Sequence, residues 1–368
     1  MCSLIVLFYT TNMGIRGLQN WIRWTVPQTV VSPDWAKLSN TRVGIDILGF
    51  LYRAKSRGIY PIVYVAHLVA MCKRLDIEPV ILFDGKPPTE KQHTLVQRTA
   101  LRVESNVKKT VCLTPQERQK LELNSTYFTS EERDQVKQFL YSCGVLSLNA
   151  SGEADNTLAY LNRKGWISAV ISSDFDFLPR GVETLIVPAH EGLPHESSGW
   201  KQYSLSNILR LADMTRNQFV EMCVLMGSDY TANLPSIPYK TAYWTVKHAC
   251  STEYTLARFN IRDTEPYRRA KQILTGVLDT EASLMNDKQW EKWHAGSPRI
   301  ELEALTEFVH LYFPTSDVND IVSSLSNQPP NPSNPDNPSN ILLPDNGLFN
   351  DLTQYTRSMS NYTSSPAA

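Results

Sequence analysis

Three short segments of this chain run apolar and β-branched and carry an acid at or next to their end. They are Arg42-Val-Gly-Ile-Asp-Ile47, Glu78-Pro-Val-Ile-Leu-Phe-Asp84 and Ser168-Ala-Val-Ile-Ser-Ser-Asp174. Runs of this length and composition read as buried strands. Helical patterns follow the first of them, over roughly Leu48 to Arg57 and Pro61 to Leu75. Strands alternating with helices predict an α/β domain with a parallel sheet. In such sheets ligands bind beyond the carboxyl ends of the strands. Asp46, Asp84 and Asp174 would then share one rim.

Four further acids stand at the starts or ends of predicted elements. Ser151-Gly-Glu-Ala-Asp155 opens a helix predicted for Ala154 to Lys164, with Ser151 as its N-cap. Glu153 and Asp155 fall near its first turn, where the helix dipole favours an ionised acid. Asp176 follows Asp174 by two residues, and Asp229 follows a helix predicted for Asn217 to Met226. Taken singly, each acid is most simply a turn residue, a cap or a helix-start charge. Seven together on one rim would raise one another's pKa unless cations neutralised them. Hard divalent ions with oxygen ligands, Mg²⁺ above all, suit such a site, and Mn²⁺ could substitute. Two such ions about 4 Å apart stabilise both the attacking water and the leaving oxygen of a phosphodiester.

The rest of the chain sets limits on this reading. The 368 residues suffice for one large domain or two smaller ones. The net charge of −1 lends no support to nucleic-acid binding, so local basic patches and bound cations must supply it. None of the six cysteines forms a Cys-x-x-Cys pair or a zinc-spaced cluster, which points to reduced thiols. No apolar run approaches the roughly 20 residues of a membrane span. Leu4 to Tyr9 is apolar but lacks the basic start and cleavage site of a signal peptide. The expected functional start is Met13, with residues 1–12 a non-functional extension. The tail from about Ser324, with Gln328-Pro-Pro-Asn-Pro-Ser-Asn-Pro-Asp-Asn-Pro338, is low in complexity and expected to be disordered.

Ordered motifs now carry a resemblance. Met13-Gly-Ile-Arg-Gly-Leu18, Val43-Gly-Ile-Asp-Ile47, Pro79-Val-Ile-Leu-Phe-Asp-Gly-Lys-Pro-Pro88, Gly152-Glu-Ala-Asp155, Ser173-Asp-Phe-Asp176 and Gly227-Ser-Asp-Tyr230 resemble, in order, the motifs of the flap endonuclease and XPG-type structure-specific 5′ nucleases. The resemblance spans about Met13 to His248. It implies a PIN-like nuclease core with a parallel sheet, a helical arch, and a helical C-terminal helix–two-turn–helix region. The nuclease core would occupy 13–98 and 135–228, the arch 99–134, and the helical DNA-binding region 229–323.

By the same resemblance, Asp46, Asp84, Glu153 and Asp155 serve one ion and Asp174, Asp176 and Asp229 the other. Asp155 stands where the family commonly has Glu, one methylene longer. Lys91 and Arg98 match the family's catalytic cations, placed on one helix two turns apart, where they would hold the scissile phosphate. Gly14, Arg102, Lys108, Lys109, Lys240 and Lys247 are the candidate DNA contacts. Solvated surface charge is an equally good reading for each arch lysine or arginine alone.

Two departures stand out. Leu234-Pro-Ser-Ile-Pro-Tyr-Lys-Thr-Ala242 has Ser236 and Pro238 where the family's duplex-binding turn has glycines, and Pro lacks an N–H to offer phosphate. The tail holds no clear sliding-clamp docking segment, Gly347-Leu-Phe-Asn-Asp-Leu-Thr-Gln-Tyr355 being only vaguely similar. The resulting expectation is a monomeric, divalent-metal-dependent endonuclease. It would cleave 5′-flap or branched DNA in replication or repair, with 5′–3′ exonuclease activity alongside. Its compartment would be the nucleus, or the host nucleus for a viral gene, inferred from the substrate since no targeting signal is clear. A junction-binding protein without catalysis and an RNase-like relative are the alternatives. A missing acid would favour the first of these, and none is missing.

Overall fold

The computed structural model describes residues 14–326, except 111–113, 190–192, 196, 198, 232–236, 250–251, 277–290, 292–298 and 314–317. The expectations for residues 1–13, for Ser236 and for the tail beyond 326 lie outside the described residues.

The three acid-tipped segments form adjacent parallel strands. β1 (Val30–Val31), β2 (Arg42–Asp46), β3 (Glu78–Phe83), β4 (Leu146–Asn149), β5 (Ala169–Ile171), β6 (Thr184–Val187) and β7 (Lys201–Ser204) make one sheet in the order β1-β7-β6-β5-β2-β3-β4. The strands from β6 to β4 run parallel, whereas β7 pairs antiparallel with β6 and β1 antiparallel with β7. The antiparallel edge extends the sheet beyond the parallel core read from sequence. Ile45 of β2 lies level with Ile81 of β3 and with Ile171 of β5. Asp46, Asp84 and Asp174 therefore leave the sheet at one end, within a few residues of the same level.

Side-chain alternation gives the sheet two apolar faces. Val80, Leu82 and Val170 point to one face, which packs under α1 (Leu18–Thr25) and helices from the second half of the chain. Val43, Ile45, Ile81, Phe83, Ala169 and Ile171 point to the other. That second face is covered by the short α2 (Trp35–Leu38), by α3 (Leu48–Ser56) and by the deeply buried α4 (Pro61–Arg74). α5 (Gln92–Lys108) and α6 (Pro115–Ser125) lie side by side and lead into α7 (Ser130–Ser142), which returns to the second face. α8 (Ala154–Arg163) crosses the first face. At Gly44 a Cβ would fall 2.5 Å from Leu158 Cδ2 and 2.6 Å from Ile167 Cδ1, so the glycine lets α8 lie close on β2. α9 (Leu205–Ala212), α10 (Arg216–Met226), α11 (Tyr239–His248), α12 (Thr252–Arg258) and α13 (Glu265–Thr275) complete the first face.

The domain boundaries read from sequence need one correction. Helices Leu302–Tyr312 and Val318–Ser326 pack on the second face of the sheet, and the last of them runs past the expected start of the tail at 324. Leu305, Val309, Phe313, Ile321 and Leu325 are buried on the second face. Phe308 meets Phe139 of α7 edge-on at 5.6 Å. The Glu301 N–H donates to the Ser142 carbonyl at 3.0 Å, and Lys73 of α4 donates to the Leu325 carbonyl. The helices return because α4 and α7 would otherwise leave apolar surface open to water.

Leu305 is fully buried. Leu305→Ala should therefore lower stability by about 2–5 kcal/mol. Urea unfolding checks this, and a change below about 0.5 kcal/mol, typical of surface positions, would place the helix outside the core.

Candidate metal centre

The rim acids are brought together by strand parity. Asp46 shares the parity of Gly44, and Asp84 that of Val80 and Leu82, so both emerge on the face covered by α8. β5 ends at Ile171, and Ser172 beyond it donates its hydroxyl to Asp46 Oδ2 at 2.9 Å. The same Ser172 Oγ accepts the Asp174 N–H at 3.0 Å, and Asp174 Oδ1 accepts the Asp176 N–H at 2.9 Å. These bonds turn the chain so that Asp174 faces the rim and Asp176 packs behind it, 2% exposed.

Ser151 does not cap α8 as the sequence suggested. Glu153 occupies the N-cap position, and Asp84 Oδ1, from the neighbouring strand, accepts the Ala154 N–H at 2.8 Å. A carboxylate from elsewhere in the fold thus satisfies one of the free N–H groups at the helix start. Asp229 sits after α10, where Thr94 Oγ1 donates to its carbonyl at 3.1 Å.

A cavity of about 280 Å³ opens at this rim, lined by Asp46, Asp84, Glu153, Asp155, Asp174 and Asp229. Six of the seven predicted acids share that cavity and Asp176 lies just behind. Among the described residues, no three His, Cys, Asp or Glu groups close around one point as a finished ligand shell would. Basic side chains hold several of the acids instead. Lys91 donates to Glu153 Oε1 and stands 3.9 Å from Asp229 Oδ2, while Arg98 Nη2 lies 2.7 Å from the same Asp229 oxygen. Lys91 is not on the helix with Arg98: it ends a 3₁₀ turn, Thr89–Lys91, and is the N-cap of α5. Its reach to the site is kept because the turn leads directly onto the rim.

Sequence reasoning missed several groups here. Arg180, 1% exposed, pairs with Asp155 Oδ2 at 3.0 Å and donates to the Tyr230 hydroxyl at 2.7 Å. Tyr230 donates in turn to Glu153 Oε2 at 2.6 Å. Arg133 and Tyr52 line the cavity. The available signal for Arg180 was a charge four residues past Asp176 in an otherwise apolar run, Phe177-Leu-Pro-Arg180-Gly-Val182.

Of the candidate DNA contacts, Gly14 is beside the acids. Its φ is +82°, and a Cβ there would fall 2.6 Å from Asp176 Oδ1 and closer still to Asp174 Oδ1. Only glycine fits both the conformation and the space. The five remaining candidates are not among the residues that line the cavity, and each already has a partner. Arg102 stacks over Tyr127 at 5.0 Å, and Lys240 over Trp24 at 4.9 Å. Lys108 pairs with Glu104, Lys109 with Glu122 at 2.6 Å and Lys247 with Asp213 at 2.7 Å. Pro238 is the N-cap of α11, and its carbonyl accepts the Ala242 N–H at 2.9 Å.

The electrostatics ask for positive charge. Burial pushes the Asp46 carboxyl well above the usual range, and Asp84 adds to it. Asp176 is likewise raised by burial and then by Asp174. Asp84, Asp174 and Glu153 are raised chiefly by burial, against the pull of the Ala154 N–H, the Asp176 N–H and Lys91 respectively. For Lys91, burial works against the charge, but Glu153, Asp155 and Asp229 outweigh it and raise the amine. Among the described residues, Asp176 Oδ1 is buried without a hydrogen-bond partner. An all-oxygen donor set, an orphaned carboxylate oxygen and acids driven toward protonation fit a hard divalent cation.

A raised acid contributes stability that is complete below its unfolded pKa and lost as pH climbs through the folded value. Asp176→Asn removes that loss. In metal-free buffer the variant should melt above wild type at neutral pH, with the advantage gone below the ordinary carboxylate range. Thermal melts in EDTA across pH check this, and a variant less stable than wild type at neutral pH would contradict it.

Comparison with known proteins agrees with this geometry. The XPG N-terminal domain family matches residues 13–105, and the XPG I-region family matches residues 144–229. Flap endonuclease 1 of Babesia bovis is 30% identical over 254 residues, which cover 64% of this chain and 37% of that protein. Flap endonuclease 1-B of Physcomitrium patens is 27% identical over 305 residues, 76% of this chain and 86% of that protein. Among solved structures, the catalytic core of Rad2 in complex with DNA substrate aligns with a TM-score of 0.57 at 17% identity, covering 85% of this chain and all of that one. Flap endonuclease-1 from Methanococcus jannaschii aligns with a TM-score of 0.56 at 18% identity, covering 81% and 95%. At those identities the structural matches establish the fold. The matched domains contain all seven acids of the rim, and the chain belongs to the flap endonuclease and XPG-type family of nucleases.

Proposed function

We propose that this chain is a divalent-metal-dependent, structure-specific 5′ nuclease that hydrolyses 5′-flap or branched DNA in replication or repair, with 5′–3′ exonuclease activity alongside. The observation that carries the reading is the cavity in which six acids face Lys91 and Arg98. Asp46, Asp84, Glu153 and Asp155 would hold one ion, and Asp174, Asp176 and Asp229 the other, with Mg²⁺ or Mn²⁺ meeting the donor chemistry. Such ions supply the charge that offsets the attacking and leaving oxygens of an in-line displacement.

The chain's own residues do the rest. Lys91 and Arg98 reach the acids from α5 and its entry turn, with side chains 18% and 39% exposed, so a phosphate entering the cavity can draw them away from Glu153 and Asp229. Held there, they bind the scissile phosphate and offset its growing charge. Arg133, whose Nη1 donates to the Asp84 carbonyl at 3.3 Å, adds a further cation to the wall. Gly14 holds the N-terminal segment against Asp174 and Asp176. Arg102 and Lys240, each stacked on an aromatic ring, are the candidate contacts with the rest of the DNA, and those contacts would weaken with salt. The reading needs no partner chain and no sliding clamp, and it puts the protein in the nucleus, or a viral host's nucleus, with its substrate.

The test is cleavage of a labelled 5′-flap duplex by the full chain and by a chain starting at Gly14. Mg²⁺-dependent cutting near the flap junction is expected, with EDTA or Asp174→Ala abolishing it. Lys91→Ala should slow the single-turnover rate by about 10²–10³-fold, as loss of a group that meets developing charge does. Selective junction binding without cutting, or preferential cutting of matched RNA, would replace the DNA nuclease reading.

A further inference from the structure

We propose that Arg180 is a positioning residue for the two acids of the Gly152–Asp155 turn, setting Asp155 directly and Glu153 through the Tyr230 hydroxyl. The contacts are specific. Arg180 Nη2 lies 3.0 Å from Asp155 Oδ2 and 2.7 Å from the Tyr230 hydroxyl, which itself donates to Glu153 Oε2 at 2.6 Å. Nη1 donates to Asn156 Oδ1 and, at 3.4 Å, to the Ile273 carbonyl of α13. One guanidinium thereby ties both acids to the first turn of α8 and to a helix on the far side of the chain.

Burying an arginine is expensive, and a well-packed apolar side chain would serve stability at least as well. This arginine is 1% exposed, and its ion-pair partner is a site acid. Lys91 and Arg98 differ in kind: they line the cavity, where a phosphate can compete for them, whereas Arg180 is not among its lining residues. The site therefore has releasable cations in front and a fixed one behind. The fixed one matters at Asp155, which is one methylene shorter than the family's usual Glu. An ion pair from Arg180 to Oδ2 at 3.0 Å and a hydrogen bond from the Asn156 N–H to Oδ1 at 2.9 Å hold that short carboxylate. A planar fork can hold Asp155 and Tyr230 together in fixed directions, and a lysine ammonium cannot.

The inference rests on the metal-dependent nuclease reading, and the experiment separates the two. The full chain, Arg180→Lys and Tyr230→Phe are compared. Mn²⁺ binding is followed by EPR without DNA, the single-turnover rate against Mg²⁺ concentration, flap-DNA affinity in EDTA, and melting temperature. If Arg180 positions the acids, both variants fold and bind flap DNA in EDTA like wild type. Their Mn²⁺ affinity and rate then fall by about 10–100-fold, the usual effect of losing a group that orients a metal ligand. Wild-type Mn²⁺ affinity in the folded variants overturns the proposal, as does a rate loss that only tracks the fraction unfolded. Should Arg180→Lys fail to fold, Tyr230→Phe removes one hydroxyl and decides alone: wild-type metal affinity in it overturns the proposal. A wild-type chain that binds Mn²⁺ but cuts no DNA would overturn the nuclease reading and leave the Mn²⁺ titrations to decide on Arg180.

Discussion

Like charges at the end of a sheet repel, and burial makes each of them costlier to ionise. Asp46, Asp84, Glu153, Asp174 and Asp176 all carry that penalty. The surrounding structure can be understood as the set of devices that tolerate it. Strand parity sends Asp46 and Asp84 to one face, and the start of α8 meets Asp84 with a backbone N–H. Lys91 and Arg98, from α5 and its entry turn, and the buried Arg180 bring compensating charge to the acids. Even so, Asp176 keeps an oxygen with no hydrogen-bond partner among the described residues. A chain selected for stability alone would not keep such a group, since buried unpaired polar atoms are costly and rare.

The support for this costly rim is a sheet packed on both sides. α8 can lie close on β2 because Gly44 has no side chain, and that approach brings the Gly152–Asp155 turn onto the strand ends. On the opposite face, the helices Leu302–Tyr312 and Val318–Ser326 return to close the core over α4 and α7. The last described helix thus completes the scaffold that the first strands begin. Tight packing on both faces fixes the strand ends, and fixed strand ends let carboxylates be placed to within a fraction of an ångström.

Much of this was legible in the sequence because it rests on local patterns. An apolar run that ends on Asp says both where the strand lies and where its acid emerges, and β2 and β3 appear where Ile45 and Ile81 implied. What sequence could not show depends on contacts between distant segments. Ser151 has good capping chemistry, but Asp84, about 70 residues earlier, reaches the α8 N–H first. Lys91 and Arg98 are spaced as if on one helix, yet a 3₁₀ turn over Thr89–Lys91 precedes that helix and leaves Lys91 at its N-cap. Arg180 looked like an ordinary charge in a loop, since only the folded chain shows Asp155 and Tyr230 against it. The antiparallel pair β7 and β1 carries little apolar signal, and its Lys201-Gln-Tyr-Ser204 strand is recognisable only by its partner.

The central claim is that the rim acids form a site for divalent cations, and melting temperature against cation concentration tests it most directly. A ligand that binds only the folded chain stabilises it by RT ln(1 + [L]/Kd). The account predicts that Mg²⁺ or Mn²⁺ raises the melting temperature of the DNA-free protein in a saturable way. The rise should be greater at pH 8 than at pH 5.5, where protons compete for the same carboxylates. A melting temperature that does not respond to either ion at any pH would contradict the account.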